Sequence, residues 1–135
     1  MTVHKQIPKK IRIKVWKKYN HHCAYCGCHL EYKDMQVDHI ESVYTQCDYK
    51  KEKTLDEIND INNLMPSCRE CNFYKSTFTL EKFRERLTNV LMKNLQKTFQ
   101  YRLALKYGLI KENIKPIEFY FEKEMKDNDQ PDNYK

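Results

Sequence analysis

Apolar residues in this chain change their spacing from segment to segment, and each spacing predicts an element. Between Lys9 and Tyr19, Ile11, Val15 and Trp16 stand among lysines, which predicts a short amphipathic helix with Pro8 as a first-turn residue. Met35 and Val37 then alternate with polar positions, so Tyr32 to Ile40 is expected to end as a strand. Strict alternation would send Asp38 and His39 to opposite faces, so a site using both needs the strand to end, twist or bulge there. Glu41 to Asn59 is polar and Lys-rich without a period and reads as a loop, with room for one helical turn. A second short strand is expected over Asn63 to Pro66. A short helix then runs from Arg69 to about Lys75, placing Asn72 and Lys75 on one face.

A longer helix follows, with Thr79 as N-cap. Leu80, Phe83, Leu87, Val90, Leu91, Leu95 and Phe99 recur at helical spacing to about Lys106, and Gly108 suits the C′ position. A helix of that length packs across a core or pairs with a copy of itself, so a homodimer is permitted. Pro116 opens Ile117-Glu118-Phe119-Tyr120-Phe121, an alternating run expected as a strand. Residues 122–135 read as a disordered tail.

At 135 residues, with 40% apolar and 33% charged side chains, the chain reads as one domain with a modest core, and a bound metal would help to stabilise it. No apolar run approaches bilayer length, so no membrane association is expected. Met1 to Lys10 lacks an apolar stretch of the secretory kind, which predicts a cytoplasmic protein. Six cysteines in a reducing compartment argue for metal ligation over disulfides. The net charge of +6 is uneven, because residues 1–20 carry seven Lys/Arg and no acid. That basic segment suits a polyanion such as DNA, against the plainer reading of a solvated tail.

Two Cys-x-x-Cys pairs, Cys23/Cys26 and Cys68/Cys71, stand with 41 residues between the inner cysteines. Each pair offers two sulfurs on one turn, and two turns complete a closed tetrahedral structural zinc site. Gly27 permits the tight turn after the second thiol. Cys28 and Cys47 are left over and are expected as free thiols, with Cys28, so close to Cys26, as an alternative ligand. A thioredoxin-like redox pair would need a βαβ context, which the pattern does not supply. Near this clamp stand Asp38, His39, Asn63 and Asn72: Asn72 directly follows Cys71, and Asn63 precedes Cys68 by five residues. A carboxylate, an imidazole and amides held beside such a clamp are what a metal-assisted phosphodiester hydrolase needs.

Cys23-Ala-Tyr-Cys26, Val37-Asp38-His39-Ile40 and Asn63-Leu64-Met65-Pro66-Ser67-Cys68-Arg69-Glu70-Cys71-Asn72, with Lys75 beyond, resemble the His-Asn-His (HNH) endonuclease family over roughly residues 20–78. The resemblance implies an α+β fold: a ββα-metal (His-Me finger) core stapled by a four-cysteine zinc. An N-terminal helix, a long C-terminal helix and a short strand would complete a single domain over 1–121, with the helical extension at 79–121. It also implies DNA as substrate, double-stranded, cut by a one-metal mechanism. His39 would be the general base. Asp38 and Asn72 would hold a catalytic Mg²⁺ or Mn²⁺, and Asn72 stands where the family often has His. Asn63 would orient His39 through its amide or by tying down the loop, with Asn62 and Asn59 as neighbouring alternatives. Lys75, Lys9, Lys10, Arg12 and Lys14 are the expected phosphate contacts. Two rival readings are a non-catalytic zinc-stabilised DNA-binding module and a protein-interaction zinc domain. Neither needs Asp, His and two Asn at those positions.

Overall fold

The computed structural model describes residues 6–41 and 59–128, and the chain divides into two compact units, residues 1–79 with 118–135, and residues 80–117. Cys47 and most of the polar stretch after Glu41 lie outside the described residues. Among the described residues no helix is long and apolar enough to cross a membrane.

The first unit is built on a two-stranded antiparallel ribbon, β1 (Gln36–His39) and β2 (Leu64–Ser67), followed by a helix labelled α2 (Arg69–Lys75). The register pairs Val37 with Pro66, Asp38 with Met65 and His39 with Leu64. Pro66 has no N–H to give, yet its carbonyl accepts from Ala24 N at 2.8 Å, which fastens β2 to the first Cys-x-x-Cys turn. β1 ends at His39, so Asp38 and His39 are its last two residues, and both are paired with β2.

Helix α1 (Lys9–Lys17) packs on this ribbon through Val15, which is fully buried, and is tied down by its polar side chains. Trp16 Nε1 donates to Leu30 O at 2.9 Å, and Lys18 Nζ donates to Ile61 O and Leu64 O, both at 2.9 Å. Burial pulls the Lys18 ammonium below its ordinary pKa, opposed by the nearby charge of Asp60.

The C-terminal segment departs most from the sequence expectation. Ile117 to Phe121 forms no strand, and residues 122–128 are not a tail. A helix, Tyr120–Asn128, begins here and is numbered α6, since three helices of the second unit precede it. Phe119 and Phe121 are both buried, so their spacing of two looks like strand alternation. In the fold Phe119 caps the helix and Phe121 sits in its first turn. Phe119 N donates to Glu122 Oε1 at 2.9 Å, one half of a capping box. The segment closes on the cysteine turn: Tyr120 N donates to Tyr25 O at 3.0 Å and Phe121 N to Ala24 O at 2.8 Å. Both Phe rings meet Tyr25 edge-on, at centroid distances of 5.4 and 6.3 Å. Gly27 takes φ +83°, and a Cβ there would lie 2.9 Å from the Tyr120 ring, so glycine permits both the turn and this approach.

The second unit also differs from one unbroken helix. Its helices are α3 (Leu80–Glu85), continued by a π-helical stretch (Arg86–Leu91) into α4 (Met92–Gln96), and then α5 (Phe99–Lys106). The break falls at Thr98, whose backbone is extended. Its hydroxyl accepts from Tyr101 N at 3.3 Å and donates to Leu95 O at 2.7 Å, so a side chain replaces helical backbone bonds. Glu112 then receives Gln96 Nε2 at 2.8 Å and the Tyr101 hydroxyl at 3.0 Å, which fixes the chain after α5. Gly108 ends α5 at φ +69°. Its N–H bonds Leu105 O and that of Leu109 bonds Ala104 O, the paired pattern of a Schellman motif.

Because Phe119 is 1% exposed and packs on Tyr25, Phe119→Ala is expected to destabilise the protein by about 3–5 kcal/mol in chemical denaturation. A change of less than about 0.5 kcal/mol would mean that the segment is a dispensable tail.

Candidate active site and metal cluster

The two cysteine turns converge. The Sγ atoms of Cys23, Cys26, Cys68 and Cys71 all lie within 4.8 Å of one another. Four sulfurs on one ion at 2.3 Å would stand about 3.8 Å apart, and Cys26 and Cys68 are separated by 3.9 Å. The donor set therefore fits a tetrahedral, closed metal site. Local backbone geometry explains the convergence. Gly27 N bonds Cys23 O at 3.0 Å to close the first turn, and Cys68 caps α2, its sulfur accepting from Cys71 N at 3.4 Å. A hydrogen bond between the Cys23 and Cys71 sulfurs lowers the Cys23 thiol to about 4 against the opposing effect of burial, and raises Cys71. Cys28 stands outside the four-sulfur group, and burial pushes its thiol up.

Beside the cluster lies a buried charged group centred on Asp38, which is 5% exposed. Its Oδ2 accepts from the Tyr25 hydroxyl and pairs with Lys75 Nζ at 3.1 Å. Burial raises the Asp38 carboxyl above its ordinary pKa, while Lys75 and the tyrosine hydrogen bond oppose that shift. Tyr25 is raised as well, first by burial and then by the charge of Asp38. Lys75 is wholly buried and donates a second bond to His39 O at 2.9 Å. It holds the carboxylate of Asp38 and the backbone of His39 from one point on α2. The expectation that Lys75 contacts phosphate is thereby corrected: a side chain with 0% exposure presents nothing to a nucleic acid.

His39 sits at the end of β1, half-buried, with its Nε2 at 2.8 Å from Asn59 Oδ1. Asn63 clasps the backbone that follows. Its Oδ1 accepts from Glu41 N at 2.9 Å, its Nδ2 donates to Glu41 O at 3.1 Å, and its own carbonyl accepts from Ile40 N at 2.9 Å. Of the two roles open to Asn63, these bonds match the tying of the loop. Asn72 is half-buried on α2 next to Cys71, so the turn that carries the sulfur also carries the amide.

Among the expected phosphate contacts on α1, Lys9, Lys10 and Lys14 are exposed. Arg12 differs. Its guanidinium donates to Tyr32 O at 3.4 Å and to Met35 O, and lies 5.1 Å above the Tyr32 ring, so it braces α1 against the turn before β1. Sequence reasoning missed Tyr25, although its place between the two cysteines of a Cys-x-x-Cys pair was a signal, and ranked Asn59 behind Asn63.

Lys75→Met is expected to cost about 3–5 kcal/mol of stability, because it leaves the Asp38 carboxylate buried without its cation. The double variant Lys75→Met/Asp38→Asn should recover part of that loss in urea denaturation. Equal stability of the native protein and Lys75→Met would show that the ion pair does not form.

Residues 23–78 match the family model described as HNH endonuclease. The SPbeta prophage-derived protein YoqL of Bacillus subtilis (strain 168) is 34% identical over 76 residues, which are 50% of this chain and 30% of that protein. The chain thus spans less than a third of that relative's length. The crystal structure of the Type II-C Cas9 enzyme from Actinomyces naeslundii overlaps 77% of this chain and 11% of its own, with 17% identity and a TM-score of 0.47. The two cysteine turns, the ribbon that ends at Asp38-His39 and the helix that carries Asn72 all fall inside the span, residues 23–78, that matches the HNH endonuclease family model.

Proposed function

We propose that the chain is a metal-dependent DNA endonuclease that hydrolyses phosphodiester bonds in double-stranded DNA, with His39 as general base. The observation that carries this reading is the grouping at the end of β1. A half-buried imidazole there has its Nε2 against an amide oxygen and lies next to a buried carboxylate, beside a four-sulfur cluster.

The roles follow from the chemistry of each group. Cys23, Cys26, Cys68 and Cys71 would hold zinc, since four thiolates in closed tetrahedral array leave no open position for a substrate. Asp38 and Asn72 would hold one Mg²⁺ or Mn²⁺ through oxygen atoms, the donor type that hard cations select. Bound there, the cation would supply charge stabilisation for the phosphate and the departing 3′ oxygen. His39 takes a proton from the attacking water. Lys75 and Tyr25 keep Asp38 in place, and Asn63 holds the backbone after His39. Exposed Lys9, Lys10 and Lys14 contact phosphates without reading sequence. The protein would work in the cytoplasm of a bacterial or phage-infected cell, where its thiols stay reduced.

Plasmid incubated with Mg²⁺ or Mn²⁺ should be nicked, and His39→Ala should lower the rate by about 10²–10⁴-fold while DNA binding persists. Unchanged cutting by His39→Ala would remove His39 from the role of base. Salt-sensitive retardation of DNA without nicking would favour the non-catalytic binding module instead.

The cluster gives a separate expectation. Cys68→Ser, or a strong zinc chelator, should loosen or unfold the domain rather than leave it folded and inactive. A well-dispersed NMR spectrum from metal-free Cys68→Ser would contradict a structural zinc.

A further inference from the structure

The formal charge of the chain is concentrated outside the unit that carries Asp38 and His39. Residues 80–117 hold nine Lys/Arg and three Glu, a net of +6. That equals the net charge of the whole chain, so the remaining residues sum to zero. Within the unit, residues 86–111 hold six Lys/Arg and no acid. We propose that this helical unit is a second DNA-binding surface, on which Lys93, Lys97 and Lys106 hold backbone phosphates around the ring of Phe99. The inference rests on the reading of DNA as substrate and is independent of the cleavage chemistry at His39.

The acids of the unit are already engaged. Glu81 pairs with Arg84 at 3.3 Å, Glu85 pairs with Lys82 at 3.0 Å, and Glu112 accepts from Gln96 and Tyr101. Among the described residues no carboxylate pairs with Lys93, Lys97 or Lys106, and all three are exposed. Lys93 and Lys97 stand four apart, a like-charge spacing that is unfavourable on a helix and that a polyanion relieves.

The apolar pattern points the same way. On α5, Phe99, Arg102, Leu103 and Lys106 recur at i, i+3, i+4 and i+7 and form the exposed face, while Tyr101, Ala104 and Leu105 are half-buried. Phe99 is 64% exposed and Leu103 39%. A merely solvated face would be polar throughout, and this one mixes cations with an aromatic ring. The corner that carries the group is held by its own bonds. Thr98 caps α5, and the Arg102 guanidinium donates to Gln96 O at 3.3 Å and Lys97 O at 2.8 Å, which closes the end of α4. Lys97 and Phe99 therefore stand on a braced turn.

Charge selects the occupant. A second copy of the chain seated on this face would bring two surfaces of net +6 together, which like-charge repulsion opposes. A phosphate backbone complements the face, and each cation placed on a phosphate releases condensed counterions. An exposed aromatic ring among those cations then meets a base face or enters a base step, the apolar contact that accompanies backbone charge in many nucleic-acid sites.

Fluorescence anisotropy of a short labelled duplex, titrated with full-length, zinc-loaded His39→Ala without added Mg²⁺ over a range of salt, reads binding with cutting suppressed. In that background Lys93→Gln/Lys97→Gln/Lys106→Gln should lower the slope of log affinity against log salt by about 2–3 and weaken binding by about 10–100-fold. Phe99→Ala should weaken binding by about tenfold with the slope unchanged. The side chains removed are exposed, so both variants should melt within a few degrees of the parent. If the triple variant does not fold, Lys93→Gln and Lys106→Gln singly should each lower the slope by about one. An unchanged slope in the lysine variants would overturn the proposal. So would a dimer in sedimentation velocity that Phe99→Ala dissociates, or capture by phosphatidylserine vesicles that the lysine variant loses while its DNA affinity stays. Plasmid cutting separates this inference from the enzyme reading. A native chain that leaves plasmid intact, with the slope reduced in the lysine variants, would keep the DNA-binding surface and remove the nuclease. Nicking that depends on His39, with the slope unchanged, would keep the nuclease and remove the surface.

Discussion

Four sulfur atoms drawn within 4.8 Å of one another are the constraint on which the first unit depends. They join the turn at Cys23–Gly27 to the start of α2, two stretches more than forty residues apart in sequence. The side chains grouped at the candidate active site are attached to one of those two stretches or to the ribbon between them. Tyr25 lies inside the first turn, Asn72 and Lys75 lie on the helix that Cys68 caps, and Asp38 and His39 end the strand paired with β2. A closed loop of that length is entropically unfavourable to form, and a small core does little to offset it. Metal–thiolate bonds are the kind of interaction strong enough to do so.

A second constraint is electrostatic. An aspartate with 5% exposure keeps its charge only if something replaces its lost hydration. Here the replacement is Lys75, itself wholly buried, together with the Tyr25 hydroxyl. Such a pair is a poor source of net stability, because the desolvation of two charges consumes most of their attraction. Its value is positional. Lys75 bonds both the Asp38 carboxylate and the His39 carbonyl, so α2 and the end of β1 are locked in a single relation. Tyr25 extends the lock to the cysteine turn. The cluster and the candidate active site are thus mechanically one object, and the sulfur geometry sets where the carboxylate lies.

The second unit follows a different logic. The helical period over 80–106 is real, yet Thr98 interrupts it, because a hydroxyl that can bond both Leu95 O and Tyr101 N competes with the backbone ladder. Leu91, Leu95, Phe99 and Leu103 keep a third or more of their surface exposed, so helical spacing there does not correspond to a filled core.

Local chemistry was enough to read the two Cys-x-x-Cys turns, the ribbon ending at Asp38-His39, the helix over 69–75 and the C′ glycine at Gly108. In each case the signal lies within a few residues: ligand spacing, alternation, or a position that needs positive φ. What the fold alone decided depends on partners distant in sequence. Phe119 and Phe121 look like a strand until Tyr25 and Ala24 supply their contacts, and Lys75 looks like a surface cation until Asp38 is buried beneath it. The amide that meets the His39 ring could not be chosen from Asn59, Asn62 and Asn63 by sequence. All three stand in one short polar run, and the orientation of the turn between the strands settles which one faces the imidazole.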